Sequence, residues 1–473
     1  MSSKSPRNRL ILNAMSMNTV SHGFHGLWRH PDSRQVDFTE LGYWRNLVEI
    51  AERGCLDALF LADVVGVGDN FRGGSEHFVS RAVQLPVADP LVLVSTLVDS
   101  TEHLGLAFTS SILQVHPFQF ARQVSTLDHL SGGRVGWNVV TTAMASAAAN
   151  FGSVLAPHDE RYEWAQEYLD VTYRLWEGSW EERAVRADRR SGLYAEADAV
   201  HAIGHHGPRY DVAGPHLVAP SPQRTPVIFQ AGASPAGREF AARNAEVQFI
   251  LTPRPEVART VIEDVRGRVV AAGRAADDIR FVQQLSFVVG STEEEAKERA
   301  VELDGYLDLE GLLAHMSRDV GFDFGGLDPD APLSEVKTEA IRSIVESLLE
   351  AGRQEGRTAT VGDLSRYLIG GGTRLVGTPG QIADGLERWQ EAGVDGVDVL
   401  FPLLPASLED FVDQVVPELQ RRGLAQRAYE PGTLREKLFG RGARLPDDHP
   451  ATRFRRGRRP TATATTASPI PLP

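Results

Sequence analysis

A strand–helix–strand pattern between Leu104 and Thr142 constrains the fold more than any other feature of this chain. The apolar run LGLAF is typical of a strand buried on both faces, and RVGWNVV repeats that pattern after one intervening helix. The helix is predicted to begin at Pro117, because proline is tolerated at the first helical position, and to end at Gly132-Gly133. Two buried strands joined by one helix are expected to be parallel neighbours. The segment therefore predicts a βαβ unit.

Six further strand-like runs extend this unit along most of the chain. They cover residues 9–18, 56–63, 225–234, 246–251, 279–290 and 394–404, with helical patterns between them. Eight buried strands that alternate with helices predict an α/β fold of the (β/α)8 TIM-barrel type. An open, doubly wound sheet is the structural alternative.

Two polar, irregular stretches interrupt the alternation and predict insertions after strands 4 and 7. They cover about residues 179–224 and 315–372, and the second contains the glycine triplet Gly370–Gly372. That second insertion is either a lid or a surface-packing element. We expect residues 1–440 to form one barrel domain. Residues 441–473 are basic and then rich in Thr, Ala and Pro, which predicts a disordered tail.

Composition narrows the possible partners and the cellular location. The chain has 63 acidic and 49 basic side chains, for a net charge of −14, which argues against nucleic acid or an anionic membrane as the main partner. No run approaches the roughly 20 apolar residues that span a bilayer, and no secretory signal is visible. A cytoplasmic protein is expected. The single cysteine, Cys55, excludes an internal disulfide.

The predicted strand ends supply a short set of functional candidates, because TIM barrels carry their active sites at the carboxyl ends of the strands. These candidates are His22 and His25 after strand 1, Asp63 after strand 2, Thr109 and Ser110 after strand 3, Asn138 in strand 4, and Gly232 and Ser234 after strand 5. Neutral hydrogen-bonding groups predominate. A metal-dependent hydrolase would need more ligands, and a retaining glycosidase would need a second carboxyl about 5 Å from the first. No metal site is predicted.

Such neutral groups suit a planar heterocycle with donors and acceptors along one edge. The amide of Asn138 offers both, although it also suits the role of satisfying buried backbone at a strand end. Small residues after strand 5 would let backbone N–H groups approach an anion at a helix start. His158 and Tyr162 bracket the start of the next helix, where Asp159 is the predicted cap and a phosphate could bind. Packing for Tyr162 and solvation for His158 are the alternative interpretations.

Long motifs in the chain resemble one known family. The segments LDALFLAD, FTSSILQVHPFQFARQVSTLDHLSGGRVGWNVVTT, HDERYEWAQEYLDVTYRLWEGSW, SPQRTPVIFQAGASPAGREFAARNAE and VGTPGQIADGLERWQEAGVDG are similar to the bacterial luciferase-like flavin monooxygenases. The resemblance is strongest to the branch containing the nitrilotriacetate, dibenzothiophene-sulfone, pristinamycin and dimethyl-sulfide monooxygenases. It covers about Leu10 to Gly423.

The resemblance implies a cofactor, a partner and a chemistry. Reduced FMN would come from a separate NAD(P)H:flavin reductase and react with dioxygen, the co-substrate, to a flavin hydroperoxide that oxygenates a small organic molecule. Matched position by position, the implied flavin-binding residues are Asp63, Ser110, His158, Tyr162 and Ser234, with Thr109 and Gly232 beside them and Asn138 against the isoalloxazine ring. The implied substrate-positioning or proton-moving residues are His22, His25 and His315.

Two other functions are compatible with the same resemblance. One is a deazaflavin-dependent oxidoreductase that transfers hydride without oxygen, and the other is a barrel that binds flavin without catalysis. The expected assembly is a homodimer or homotetramer. The loops after strands 1 and 2 mix aromatic, histidine and arginine residues, which permits an organosulfur compound, an amine-carboxylate or a larger heterocycle as the substrate. The overall character of the N-terminal third favours the organosulfur compound.

Overall fold

A computed structural model describes residues 9–335, 345, 348–349, 352–353, 356–367 and 373–456. The glycine triplet Gly370–Gly372, part of the predicted lid, lies outside these residues.

Eight parallel strands close into a barrel. They are β1 Ile11–Met17, β2 Ala58–Ala62, β3 Gly105–Ser111, β4 Val135–Val140, β5 Val227–Gln230, β6 Val247–Ile250, β7 Arg280–Val289 and β8 Gly396–Leu400. The last strand pairs with both β7 and β1, so the sheet has no open break between its ends. This closure confirms the predicted TIM barrel and excludes the open sheet. An outer strand that the sequence did not predict, Arg374–Gly377, pairs with the second half of β7.

One helix or helical segment follows each barrel strand. These are α1 Leu41–Arg53, α2 Pro90–Leu97, α3 Pro117–Leu130, α4 His158–Tyr173, α5 Pro235–Asn244, α6 Pro255–Ala271, α7 Pro379–Glu391 and α8 Val416–Arg422. Further helices are Glu76–Ser80, Ala145–Asn150, Glu293–Tyr306, Leu309–Val320, Val361–Tyr367, Ala406–Asp410 and Leu434–Phe439. Proline opens α2, α3 and α5 to α7, which is why the sequence locates their starts so closely. Within the described ranges, no helix combines the length and apolar character needed to cross a bilayer.

The barrel interior is filled by aromatic and aliphatic side chains at its amino end. Phe60 and Phe229 both pack against Phe249, with ring centroids 4.5 and 5.5 Å from it. The short helix Leu434–Phe439 closes the barrel from below with Leu434, Leu438 and Phe439. Because the described side chains fill this end, the open space inside the barrel lies toward the carboxyl ends of the strands.

Two insertions enlarge the barrel, as predicted, but the second begins earlier than predicted. The first contains the small hairpins Val185–Asp188 with Leu193–Ala195 and His205–His206 with Asp211–Val212. The second begins directly after β7 with the helices Glu293–Tyr306 and Leu309–Val320, so His315 lies in the middle of a helix rather than at a boundary. A hydrophobic cluster that includes Phe71, Phe78 and Leu313 packs the second insertion onto the loop after β2.

The predicted tail boundary at residue 441 is wrong, because residues 441–456 pack against the barrel. His449 is 1% exposed, and its Nε2 contacts the carbonyl oxygen of Asn244 at 3.1 Å. Arg455 donates from Nε to the buried carboxylate of Glu177 at 2.7 Å. These contacts attach the basic segment to the folded barrel, and the composition of the segment does not predict them. The prediction for residues 457–473 falls outside the described part of the chain.

Candidate active site

A cavity of about 920 Å³ opens at the carboxyl ends of the barrel strands. Its walls come from the loops after the strands and from the inserted helix Leu309–Val320. Five of the predicted site residues line it: His22, Asp63, Thr109, Gly232 and His315. The other six stand behind its wall or around it: His25, Ser110, Asn138, His158, Tyr162 and Ser234. A cavity of this size is at the upper end of the range for small-molecule sites.

At one end of the cavity, two glycines and a tyrosine form a narrow cradle. A Cβ on Gly232 would lie 2.8 Å from the hydroxyl oxygen of Tyr162, and one on Gly237 would lie 2.7 Å from it. Side chains therefore do not fit at either glycine, because the Tyr162 hydroxyl occupies the space that a Cβ would need. The hydroxyl of Ser234 caps α5 by accepting from the N–H of Gly237 at 3.1 Å. This cradle sits at the amino end of a ten-residue helix, where backbone N–H groups favour an anion.

His158 lies next to this cradle at the start of α4. Its ring centroid is 5.3 Å from that of Tyr162, and its Nδ1 is 2.7 Å from a carboxylate oxygen of Asp159. The prediction that Asp159 caps the helix is wrong, because the helix begins at His158 and Pro157 occupies the cap position without a side-chain cap. His158 is half exposed, so it faces solvent as well as Tyr162.

A glutamine that the sequence did not single out joins two of the predicted residues. Gln114 donates from Nε2 to the carboxylate of Asp63 at 3.0 Å, and its Oε1 accepts from the hydroxyl of Ser110 at 3.0 Å. Burial raises the pKa of Asp63 to about 7, although the Gln114 hydrogen bond opposes the shift. One sequence feature could have identified Gln114 as a site residue: it lies four residues after Ser110, in the loop between a strand end and a helix start.

Thr109 and Asn138 form a second polar pair where β3 and β4 run side by side. They occupy matching register positions, and Asn138 donates from Nδ2 to the hydroxyl of Thr109 at 3.0 Å. The Oδ1 atom of Asn138 is buried and has no hydrogen-bond partner among the described residues. A buried acceptor without a partner is costly, so this atom is suited to a donor on a bound ligand.

The opposite end of the cavity contains histidines. His22 lines the cavity, and its Nδ1 is buried without a hydrogen-bond partner in the described structure. Burial, with the nearby charges of His315 and Arg318, lowers the pKa of His22 to about 3. The ring is therefore neutral near pH 7 and acts as a donor or an acceptor rather than as a cation.

His25 and His315 touch each other beside His22. His25 Nε2 lies 2.9 Å from His315 Nδ1, although the two residues are 290 positions apart in the sequence. His25 is fully buried, and that burial, together with the His315 charge, lowers its pKa well below the usual range. Gln84, Arg318 and Asp319 also line this end, and no sequence pattern marks them, because they lie in the β2 loop and the inserted helix.

A closed parallel barrel with its cavity at the carboxyl ends of the strands defines the class of this protein: the TIM-barrel proteins that bind a small molecule at that face. Comparison with known proteins defines the class further. Residues 15–396 match the model of the luciferase-like monooxygenase family. The chain belongs to that family, as its motifs predicted.

Named relatives extend over nearly the whole chain. The dimethyl-sulfide monooxygenase of Hyphomicrobium sulfonivorans is 46% identical over 95% of this chain and 94% of its own. The long-chain alkane monooxygenase of Geobacillus thermodenitrificans is 43% identical over 94% and 98%. Nitrilotriacetate monooxygenase component A of Aminobacter aminovorans is 36% identical over 89% and 94%.

Two solved structures share the fold. The crystal structure of DmoA from Hyphomicrobium sulfonivorans superposes with a TM-score of 0.90 at 45% identity, covering 98% of this chain and all (100%) of the other. The riboflavin lyase RcaE, solved with modified FMN and riboflavin, superposes with a TM-score of 0.85 at 37% identity, covering 95% and 100%. The relatives named as monooxygenases support an oxygenase, and the riboflavin lyase structure supports a flavin cofactor.

Proposed function

We propose that this protein is a monooxygenase that uses reduced FMN and dioxygen to oxygenate a small organic substrate. The observation that carries the proposal is the two-ended cavity, with an anion-compatible cradle at Gly232 and a neutral, unengaged histidine at His22. One end suits a phosphate and the other suits an uncharged reacting centre. The relatives named as monooxygenases support the same reaction class.

The residues around the cavity fit FMN. Ser234, Tyr162 and His158 would hold the phosphate and ribityl end, because they lie around the amino end of α5, where backbone N–H groups favour an anion. Asp63 and Ser110, joined by Gln114, would contact the middle of the cofactor. Thr109 and Asn138 would lie against the ring, where the unpartnered Oδ1 of Asn138 could accept from a ring N–H.

Bound reduced FMN supplies the reducing equivalents that let one atom of dioxygen enter the substrate while the other leaves as water. The overall balance is reduced FMN, dioxygen and substrate giving FMN, oxygenated substrate and water. The protein positions the reactants and excludes bulk water from the cavity. His22, neutral and without a partner at Nδ1, would hold a proton or a hydrogen bond at the reacting centre. The helix Leu309–Val320 would cover the site as a lid.

The cavity walls indicate the substrate class. Apolar side chains line much of the cavity, among them Met15, Met17, Val65, Val140, Met144, Leu312 and Leu400. The Arg318 cation in that wall is already bound to Asp319 and Gln84. A small uncharged molecule such as a thioether suits these apolar side chains, whereas a polycarboxylate would lose hydration beside them and would find Arg318 already paired.

A separate flavin reductase is the proposed partner. Nitrilotriacetate monooxygenase component A is by its name one part of a multicomponent enzyme, and its likeness to this chain supports the same arrangement here. The homodimer or homotetramer stays a prediction.

Isotope incorporation tests the proposed reaction. Purified enzyme would be mixed with chemically reduced FMN, ¹⁸O₂ and a panel of small thioethers, with short alkanes as a second panel. The expected result is one ¹⁸O atom in a product that forms only with enzyme and reduced FMN together. Absence of labelled product, with turnover of reduced deazaflavin under anaerobic conditions, would establish the deazaflavin alternative. Flavin binding without any product would establish a non-catalytic barrel.

A further inference from the structure

A chain of hydrogen bonds crosses from the inserted helix to the loop after β1 at the histidine end of the cavity. The hydroxyl of Ser21 contacts His25 Nδ1 at 2.6 Å, and His25 Nε2 contacts His315 Nδ1 at 2.9 Å. On the other side of its ring, His315 Nε2 lies 3.3 Å from a carboxylate oxygen of Asp319. Two hydrogen bonds and one ion-pair contact thus link four side chains in series, from a buried serine to a half-exposed aspartate.

Backbone contacts between the loop after β1 and the insertion fix the positions of these side chains. Gly26 has a φ of +96°, and a Cβ there would lie 2.3 Å from the carbonyl oxygen of Tyr306, so only glycine allows the loop and the insertion to approach this closely. The N–H of Asp308 donates to the carbonyl oxygen of His25 at 2.8 Å, and Asp308 also caps the helix that carries His315. The two histidines are therefore fixed relative to each other by their own backbones.

Two groups compete for Nε2 of His315. Asp319 offers an acceptor, whereas the amide nitrogen of Gln84, 3.4 Å away, offers a donor. The Gln84 amide has only one orientation available, because Arg318, which can only donate, contacts its Oε1 at 2.7 Å, and its Nε2 donates to the carbonyl oxygen of His22 at 2.9 Å. A proton on Nε2 of His315 satisfies Asp319, and a lone pair there satisfies Gln84.

The surroundings of Asp319 favour it over Gln84 as the partner of Nε2 of His315. Nε and one terminal nitrogen of Arg318 donate to its Oδ1 at 2.9 and 2.8 Å, which leaves Oδ2 for His315. Partial burial alone would raise the pKa of Asp319, but its contacts with His315 and Arg318 lower it below its usual range, so the group is ionised. An ionised carboxylate is a stronger partner for a ring N–H than the neutral amide is for a lone pair.

We propose that Asp319 is a positioning residue that keeps a proton on Nε2 of His315 and thereby sets the direction of the hydrogen-bond chain through His25 to Ser21. When the His315 ring carries only this one proton, its Nδ1 accepts from Nε2 of His25. The neutral His25 then accepts at Nδ1 from the hydroxyl of Ser21. The second amide hydrogen of Gln84 stays unused at the cavity wall, where a bound ligand can accept it.

Removal of Asp319 reverses the chain. In Asp319→Ala, Gln84 donates to Nε2 of His315, the ring proton moves to Nδ1, and His25 moves its own proton to Nδ1 to donate to Ser21. The free donor at the cavity wall is lost. The inference rests on the proposed function only in taking the cavity as the reaction site, since the tautomers are properties of the protein without flavin.

Nitrogen NMR of flavin-free enzyme labelled with ¹⁵N-histidine tests the proposal, with His315→Gln and His25→Gln used to assign the signals. The wild type is expected to show a protonated Nε2 on both rings, and Asp319→Ala is expected to show both exchanged to Nδ1. Asp319→Glu should restore the wild-type pattern. Glu310→Gln is the matched control, because Glu310 lies on the same helix but pairs with Arg72 and His77 away from His315.

Two outcomes overturn the proposal. One is a wild-type His315 that already carries its proton on Nδ1, which is decisive even if Asp319→Ala fails to fold. The other is a folded Asp319→Ala variant whose two ring signals match the wild type. Neither outcome depends on oxygenase activity, so failure here is distinct from failure of the proposed function.

Discussion

The hydroxyl of Tyr162 on α4 lies over the backbone of Gly232 after β5, so close that a single methyl group at Gly232 would stand 2.8 Å from it. The missing side chain lets Tyr162 approach the backbone beside the cap of α5. This relationship defines the cradle that we assign to the cofactor phosphate.

Gly232→Ala should weaken FMN binding at least tenfold, because the added Cβ would also meet Gln230 Nε2 at 2.3 Å and Gly237 Cα at 2.8 Å. Fluorescence titration of oxidised FMN measures the affinity. Gly42→Ala is the control, since a Cβ at Gly42 on α1 meets nothing within 4 Å. Equal affinity in the Gly232 variant and the wild type would remove the cradle from the cofactor site.

His22→Asn should lower kcat by about 10²- to 10⁴-fold, the usual contribution of a positioned proton-transfer group. FMN affinity should change little, because His22 stands at the end of the cavity opposite the cradle. Steady-state rates with reduced FMN give kcat, and titration gives the affinity. His206→Gln, at a histidine whose side chain is 83% exposed, is the control. A kcat within twofold of wild type would exclude His22 from the reaction.

Asp63 should make the protein less stable as the pH rises from about 4 to about 7. The folded pKa is about 7 because of burial, whereas an unfolded aspartate titrates near 3.9. The folded state therefore binds the carboxyl proton more tightly than the unfolded state does. The stability gained from this falls as the pH rises between the two pKa values and does not change further above them. The difference in urea midpoint between wild type and Asp63→Asn, followed across this range, measures the effect. A difference that does not vary with pH would contradict the raised pKa.

Glu246→Gln should lower the free energy of unfolding by about 3–5 kcal/mol, the usual cost of breaking a buried ion pair from one side. Arg435 donates to both oxygens of Glu246, at 2.6 and 2.8 Å, and neither side chain is more than 3% exposed. The pair attaches the helix below the barrel to the start of β6. Urea unfolding measures the loss. Asp413→Asn, at the exposed ion pair with Arg53, should leave stability unchanged, and an equal loss there would contradict the assigned role of burial.

Sequence patterns predicted the barrel because its strands are continuous apolar runs and proline opens most of its helices. The outer strand Arg374–Gly377 was missed because it is short, half-exposed and lacks such a run. The tail boundary was misplaced because His449 and Arg455 find partners that lie 205 and 278 residues away. Composition contains no information about contacts of that range.

The candidate site was predicted residue by residue only where a strand end or a family motif marked it. Asp63, Thr109 and Gly232 were found in this way and line the cavity. Gln84 and Asp319 were missed, because a loop and an inserted helix bring them to the site and neither periodicity nor turn chemistry marks them. Tertiary packing of the insertion, rather than local pattern, determines that end of the cavity.

Stopped-flow absorbance tests the central claim most directly. Enzyme and reduced FMN, mixed without substrate into oxygenated buffer, are predicted to reoxidise through a transient spectrum that differs from both reduced and oxidised FMN, and a thioether substrate should shorten the lifetime of that transient. Reoxidation with the rate and spectrum of free reduced FMN, unchanged by the enzyme, would contradict the assignment as a flavin-dependent monooxygenase.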